Sequence, residues 1–198
     1  IKNKKMNYNF EINSNGEISQ LFLKNNCFDF HSASEFIRNL PYRRNLNKDN
    51  LATVFIDEYG TCSTKHALLK ILAEENNQPH FKLILGIFKM NGINTPKIKS
   101  VFETLREPQS DKLEYIPEAH NYLKFKNQIL DFTKKNSSEN DFINDLLEET
   151  EIQPHQINQF KIEFHKNYLK KWLSEHPEIH YSLDELWNIR ELCIAHLS

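Results

Sequence analysis

Cys62 stands in the run Tyr59-Gly60-Thr61-Cys62-Ser63-Thr64-Lys65-His66-Ala67-Leu68-Leu69. A turn that glycine permits feeds the start of a helix here, so the cysteine sits at a helix N-terminus. Amide N–H groups and a partial positive charge at that end lower a thiol's pKa and hold an anion. The thiolate is the nucleophile, and it needs an imidazole partner that a third group orients. His120 begins a strand, followed by Asn121 and Tyr122. After Leu123-Lys124-Phe125 and the turn Lys126-Asn127-Gln128, the chain returns through Ile129 and Leu130 to Asp131-Phe132-Thr133. A hairpin with its turn midway places His120 and Asp131 on neighbouring strands.

His66 lies one helical turn after Cys62, where a base would point into a packed interior. It is expected to be a satisfied buried histidine. Lys65 is expected to be solvated. Cys27 and Cys193 read as inert packing residues. His176 and His180 are separated by Pro177, and no HExxH occurs among the nine histidines, so neither a metal nor another cofactor is expected. Arg43 and Arg44, in the polar loop 41–50, are weak candidates for binding a substrate carboxylate.

The elements that must position these residues follow from pattern. Ala67, Leu68, Ile71 and Leu72 keep helical period after Cys62, and no Pro or Gly interrupts residues 62–77. They predict a buried central helix. Phe81–Phe88 is almost continuously apolar, as in a strand covered on both faces. Residues 6–24 read as a hairpin around Asn13-Ser14-Asn15-Gly16. Residues 32–40 read as a helix with a Ser32/Glu35 capping box, ended by Pro41. A further helix is expected at 96–106, and strands at 119–126 and 128–133. From Ser137 strand signals vanish, and helices are expected near 139–149, 154–174 and 182–196, the last with a Ser182/Glu185 capping box. Phe160, Phe164, Tyr168 and Trp172 form the expected docking stripe of the long helix. This divides the chain into an α+β core at 6–136 and a C-terminal helical appendage at 137–198, packed on the core.

With 25 basic and 27 acidic residues, the formal charge of −2 gives no electrostatic reason to expect nucleic acid or an anionic membrane as partner. No apolar run reaches the roughly 18 residues that a spanning helix needs. The basic start (Lys2, Lys4, Lys5) lacks the apolar run of a secretory signal, and Met6 reads as a start codon. Three cysteines without CxxC spacing argue for a reducing, cytoplasmic compartment.

Over roughly residues 30–135 the ordered set Gly60-Thr61-Cys62, His120-Asn121-Tyr122 and Asp131-Phe132-Thr133 resembles the transglutaminase-like superfamily of papain-type thiol enzymes. In that family a cysteine opens a buried helix, a histidine lies on a later strand with an aromatic two residues on, and an aspartate follows in an Asp-x-Thr setting. Two features depart from the pattern: the interval from histidine to aspartate is short, and Tyr122 stands where tryptophan is more usual. The resemblance implies a papain-like core with the Cys62 helix packed on an antiparallel sheet. It also implies acyl transfer through a thioester: Cys62 attacks an amide or ester carbonyl of a peptide or small molecule, His120 pairs with the thiolate and protonates the leaving group, and Asp131 orients His120. The oxyanion would be held by the Cys62 N–H and a side-chain donor, with Tyr42, Asn45 and Tyr59 as candidates. Hydrolysis is favoured over crosslinking, since no calcium loop or amine-donor site is suggested. The alternatives are a non-catalytic binding or scaffold module on the same fold, a crosslinking transglutaminase or acyltransferase, and a helical interaction protein whose tail does the work. The oligomeric state is not legible.

Overall fold

In the computed structural model, residues 7–105 and 113–197 are described; the readings of Lys2, Lys4, Lys5, Met6 and Arg106 fall outside them. The protein combines helices with an antiparallel sheet, 47% helical and 18% strand, which is the α+β class expected. The helices are α1 (Glu17–Lys24), α2 (Phe30–Asn39), α3 (Thr53–Asp57), α4 (Cys62–Glu75), α5 (Lys99–Thr104), α6 (Gln159–Glu175) and α7 (Leu183–Ala195). The strands β1 (Phe81–Met90), β2 (Ile116–Phe125), β3 (Gln128–Leu130) and β4 (Leu146–Ile152) form one sheet in the order β3-β2-β1-β4. No helix among the described residues is long and apolar enough to cross a membrane.

Contacts group the chain into two compact units. The first holds the residues up to Ile84 with Asn121–Glu139 and Glu151–Ile157. The second holds residues between Leu85 and His120, Asn140–Thr150, and those from Asn158 onward. Residues 137–198 are therefore divided between the two units, and α6 and α7 group with residues 85–120.

In the first unit α4 is buried nearly all round, and α1, α2 and the 3-10 turn Pro154–Ile157 pack against it. Phenylalanine fills the space beside it. Phe30 and Phe81 have ring centroids 4.6 Å apart, Phe81 and Phe125 4.9 Å, and Phe10 and Phe30 5.0 Å. Such tilted pairs add about 0.5–1.5 kcal/mol each beyond the area they bury.

Four local expectations change. The hairpin expected at 6–24 is instead helix α1 over residues 17–24, with Ile18, Ser19 and Phe22 buried. Its N-cap, Gly16, offers no side chain, so the sequence shows no start signal. The cap comes from the end of α4. Glu75 accepts the Ile18 N–H at 3.1 Å, and both the N–H and the hydroxyl of Ser19 at 2.6 Å. Glu75→Ala removes this remote cap and should cost about 2 kcal/mol, read as a lower urea midpoint with amide protection lost first at Ile18 and Ser19.

The second change is at α2, which starts two residues earlier than expected. Asp29 is its N-cap, accepting the Ser32 N–H at 2.7 Å while the Ser32 hydroxyl accepts the Asp29 N–H at 3.2 Å. Third, residues 139–149 are two short 3-10 turns and the start of β4, so strand structure does return after residue 137. The segment is rich in good helix formers, but Glu148, Glu149 and Glu151 face solvent on an edge strand while Ile152 is buried. Charges on such an edge discourage pairing with another chain.

The fourth change is on α6, where the buried stripe is His165, Leu169 and Trp172, whereas Phe160 is 39% exposed. His165 Nε2–H donates to the Pro117 carbonyl at 2.7 Å, and the Trp172 indole N–H donates to the Tyr115 hydroxyl at 3.0 Å. The Ser182–Glu185 capping box of α7 forms as expected.

Candidate functional site

Cys62 is the first residue of α4 and is buried. The turn that delivers it is tied from several sides. The Thr64 hydroxyl accepts the Thr61 N–H at 3.0 Å and donates to Asn45 Oδ1 at 2.7 Å. Asn45 gives its amide hydrogens to Asp57 Oδ2 at 3.0 Å and to the Tyr59 carbonyl at 2.8 Å. Asp57 also accepts the Thr53 hydroxyl at 2.9 Å. Asn45 thus holds the approach to Cys62, and its amide is committed to that task. A Cβ on Gly60 would stand 2.9 Å from Thr64 Oγ1, so the tight approach of the chain to α4 requires glycine here. The Gly60 N–H donates to the Pro41 carbonyl and its carbonyl accepts the Arg43 N–H, both at 3.2 Å. These bonds bring Tyr42 to the turn as a half-buried neighbour. Arg43 and Arg44 are exposed, and the Arg43 guanidinium lies over the Tyr59 ring, 5.0 Å from its centroid.

Beyond Cys62, one hydrogen bond ties the start of α4 to the sheet, and a second continues it across the strands. The Ser63 hydroxyl donates to Asn121 Oδ1 at 2.9 Å, and the Asn121 amide donates to the Ile84 carbonyl at 3.0 Å. Cys62 Sγ is 4.0 Å from Ser63 Oγ.

His66 meets the expectation of a satisfied buried histidine. Its Nε2 accepts the Phe132 N–H at 2.8 Å, so the ring proton sits on Nδ1, which donates to the Cys62 carbonyl at 2.8 Å. Both nitrogens are committed to backbone, and the side chain is fully buried. Asp131 is also buried. Its Oδ1 accepts the N–H and the hydroxyl of Thr133 at 2.9 and 2.6 Å, and lies 3.5 Å from His66 Nε2. These bonds give the Asp-x-Thr pattern a physical reason: the threonine fixes the carboxylate's orientation. Arg38 donates to the Asp131 carbonyl at 3.0 Å and lies over the Phe132 ring.

The hairpin is tighter than expected. Phe125 pairs with Gln128, Lys124 with Ile129 and Leu123 with Leu130, so Lys126 and Asn127 alone make the turn. Lys126 adopts φ +54°, as such a two-residue turn demands. Tyr122 is fully buried. His120 belongs to the second unit, where it is half-buried with its ring 6.0 Å from Phe88 and 5.0 Å from Phe142.

Lys65 corrects its expectation: it is fully buried, not solvated. Its ammonium donates to the Leu40 carbonyl at 2.6 Å and the Thr133 carbonyl at 2.8 Å. Desolvation lowers its pKa to about 8, against the opposing influence of Cys62 and Asp131. The legible signal was position: Lys65 shares the helical stripe of Cys62, Leu69 and Leu72, whose members are all buried. The other two cysteines are buried. Burial and the charge of Asp29 raise the pKa of Cys27, and burial pushes Cys193 up to about 12.

No protein-family model, curated protein or solved structure matches this chain.

Proposed function

We propose that this protein is a cysteine-dependent acyl-transfer enzyme with a transglutaminase-like, papain-type core, acting chiefly as an amide or peptide hydrolase. Cys62 is the nucleophile, His120 its acid–base partner and Asp131 the carboxylate that orients His120. The observation that carries this is the position of Cys62 as the buried first residue of α4, where the helix start offers amide N–H groups to a thiolate. The carboxylate of Asp131 is already oriented by Thr133.

In the reaction, the Cys62 thiolate adds to the carbonyl carbon and the carbonyl electrons move to oxygen. The Cys62 N–H at the helix start is the backbone donor to that oxygen. With the Asn45 amide committed elsewhere, Tyr42 and Tyr59 are the side-chain candidates to join it. Each such donor is worth about 10²–10³ in rate. Collapse breaks the C–N bond as the imidazolium of His120 protonates the departing amine. His120 then takes a proton from water, which attacks the thioester, and the acid product leaves as the thiolate is restored. Arg43 and Arg44 flank the approach and favour a substrate carrying a carboxylate.

An electrophilic acyl probe such as an activated ester, applied to the whole chain at neutral pH and quenched in acid, tests this. The adduct should map to Cys62 and not to Cys27 or Cys193, and should be lost in His120→Ala. Equal modification of the three cysteines, or an adduct indifferent to His120, would sink the proposal.

A further inference from the structure

Burying an ammonium among aliphatic side chains is costly, and a leucine or methionine at residue 65 would pack α4 without that cost. The chain nevertheless keeps a fully buried lysine one helical turn after Cys62. Its Nζ is fixed by two carbonyls from separate segments, Leu40 at the end of α2 and Thr133 beyond β3. Thr133 is the residue that also orients Asp131, so one residue fixes both the cation and the carboxylate.

We propose, resting on the function proposed above, that Lys65 is a positioning residue of the Cys62 site. Its buried ammonium favours the thiolate of Cys62 and the carboxylate of Asp131 over their neutral forms. Charge counting supplies the motive. A thiolate, a carboxylate and one imidazolium leave a buried site with one net negative charge, and Lys65 neutralises it. The pairing is reciprocal, since Cys62 and Asp131 both act to hold the proton on Lys65 against desolvation. The other titratable groups around it are already engaged. His66, on the same helix, has both nitrogens on backbone groups, and Arg38 of α2 donates to the Asp131 backbone carbonyl. A lysine that only tied three segments together would leave the Cys62 titration unmoved.

The test measures the pH dependence of iodoacetamide alkylation at Cys62 in the full chain and in Lys65→Met. Adducts are mapped by mass, with Cys27 and Cys193 as internal references. In Lys65→Met the Cys62 midpoint should rise by about one pH unit, with alkylation about tenfold slower near pH 6 and the references unchanged. An unmoved Cys62 midpoint overturns the role of Lys65. The proposed function is judged separately, by whether the wild-type Cys62 midpoint lies below those of Cys27 and Cys193. If Lys65→Met does not fold, the isotope-labelled ε-carbon resonance of Lys65 is titrated in the wild type and in Cys62→Ala. Coupling requires a lower Lys65 midpoint in Cys62→Ala, because each group must bias the other equally. Identical midpoints refute it.

Discussion

Cys62→Ala should abolish turnover, with kcat on an acyl substrate falling on the order of 10⁴–10⁶-fold. The same loss is expected for His120→Ala, and the double variant should be little worse than either, because the two groups act as one unit. Asp131→Asn keeps the shape and removes the charge, with an expected loss of about 10⁴. For Cys62→Ala the loss cannot come from unfolding, since trimming a buried cysteine to alanine costs roughly 1 kcal/mol. Urea melts of each variant therefore separate chemistry from stability. A Cys62→Ala protein that retains activity would remove the nucleophile from the mechanism.

The largest effect on stability should come from the second unit. Glu118 is buried, and Arg190 grips it with two hydrogen bonds, at 2.8 and 2.6 Å. Burial alone would raise the Glu118 pKa, but the charge and hydrogen bonds of Arg190 outweigh it and hold the carboxyl down to about 2. Arg190→Met leaves that carboxylate buried without its cation and should cost about 3–5 kcal/mol. The pH dependence carries the sign. In the wild type the folded pKa is depressed below the ordinary 4.5, so the contribution is present above 4.5 and is lost as pH falls through about 2. In Arg190→Met burial keeps only the smaller counterweights of His165 and Lys161, and the folded pKa rises above the unfolded one. The penalty is then greatest at neutral pH and eases on acidification. Glu118→Leu added to Arg190→Met should recover most of the loss, because an apolar pair leaves no charge stranded. Chemical denaturation of the full chain across this pH range reads both effects.

Local signals decided what could be read in advance. The helix after Cys62, strand β1, the turn around Lys126 and the Ser182–Glu185 cap each depend on residues within a few positions of one another, and each was legible. Helix α1 was not, because its cap is the Glu75 carboxylate, 57 residues from Ile18. Strand β4 was masked by glutamates that favour a helix locally but serve an exposed edge here. In the candidate site, residue types and order pointed to Cys62, Asp131 and the satisfied state of His66. The burial of Lys65 was signalled by its place on the stripe of Cys62, Leu69 and Leu72, but the carbonyls that fix its ammonium lie 25 and 68 residues away and were hidden. The engagement of Asn45 was hidden similarly, since an amide's partners cannot be read from its neighbours in sequence.

The central claim is that Cys62 and His120 act as a thiolate–imidazolium pair. Its most direct test is the ultraviolet absorbance of the thiolate followed against pH in the wild type and in His120→Ala. The wild type should show a thiolate with a midpoint well below the ordinary value of about 8.5, and His120→Ala should return it toward that value. A wild-type midpoint at or above about 8.5, or one that does not move in His120→Ala, would contradict the pair.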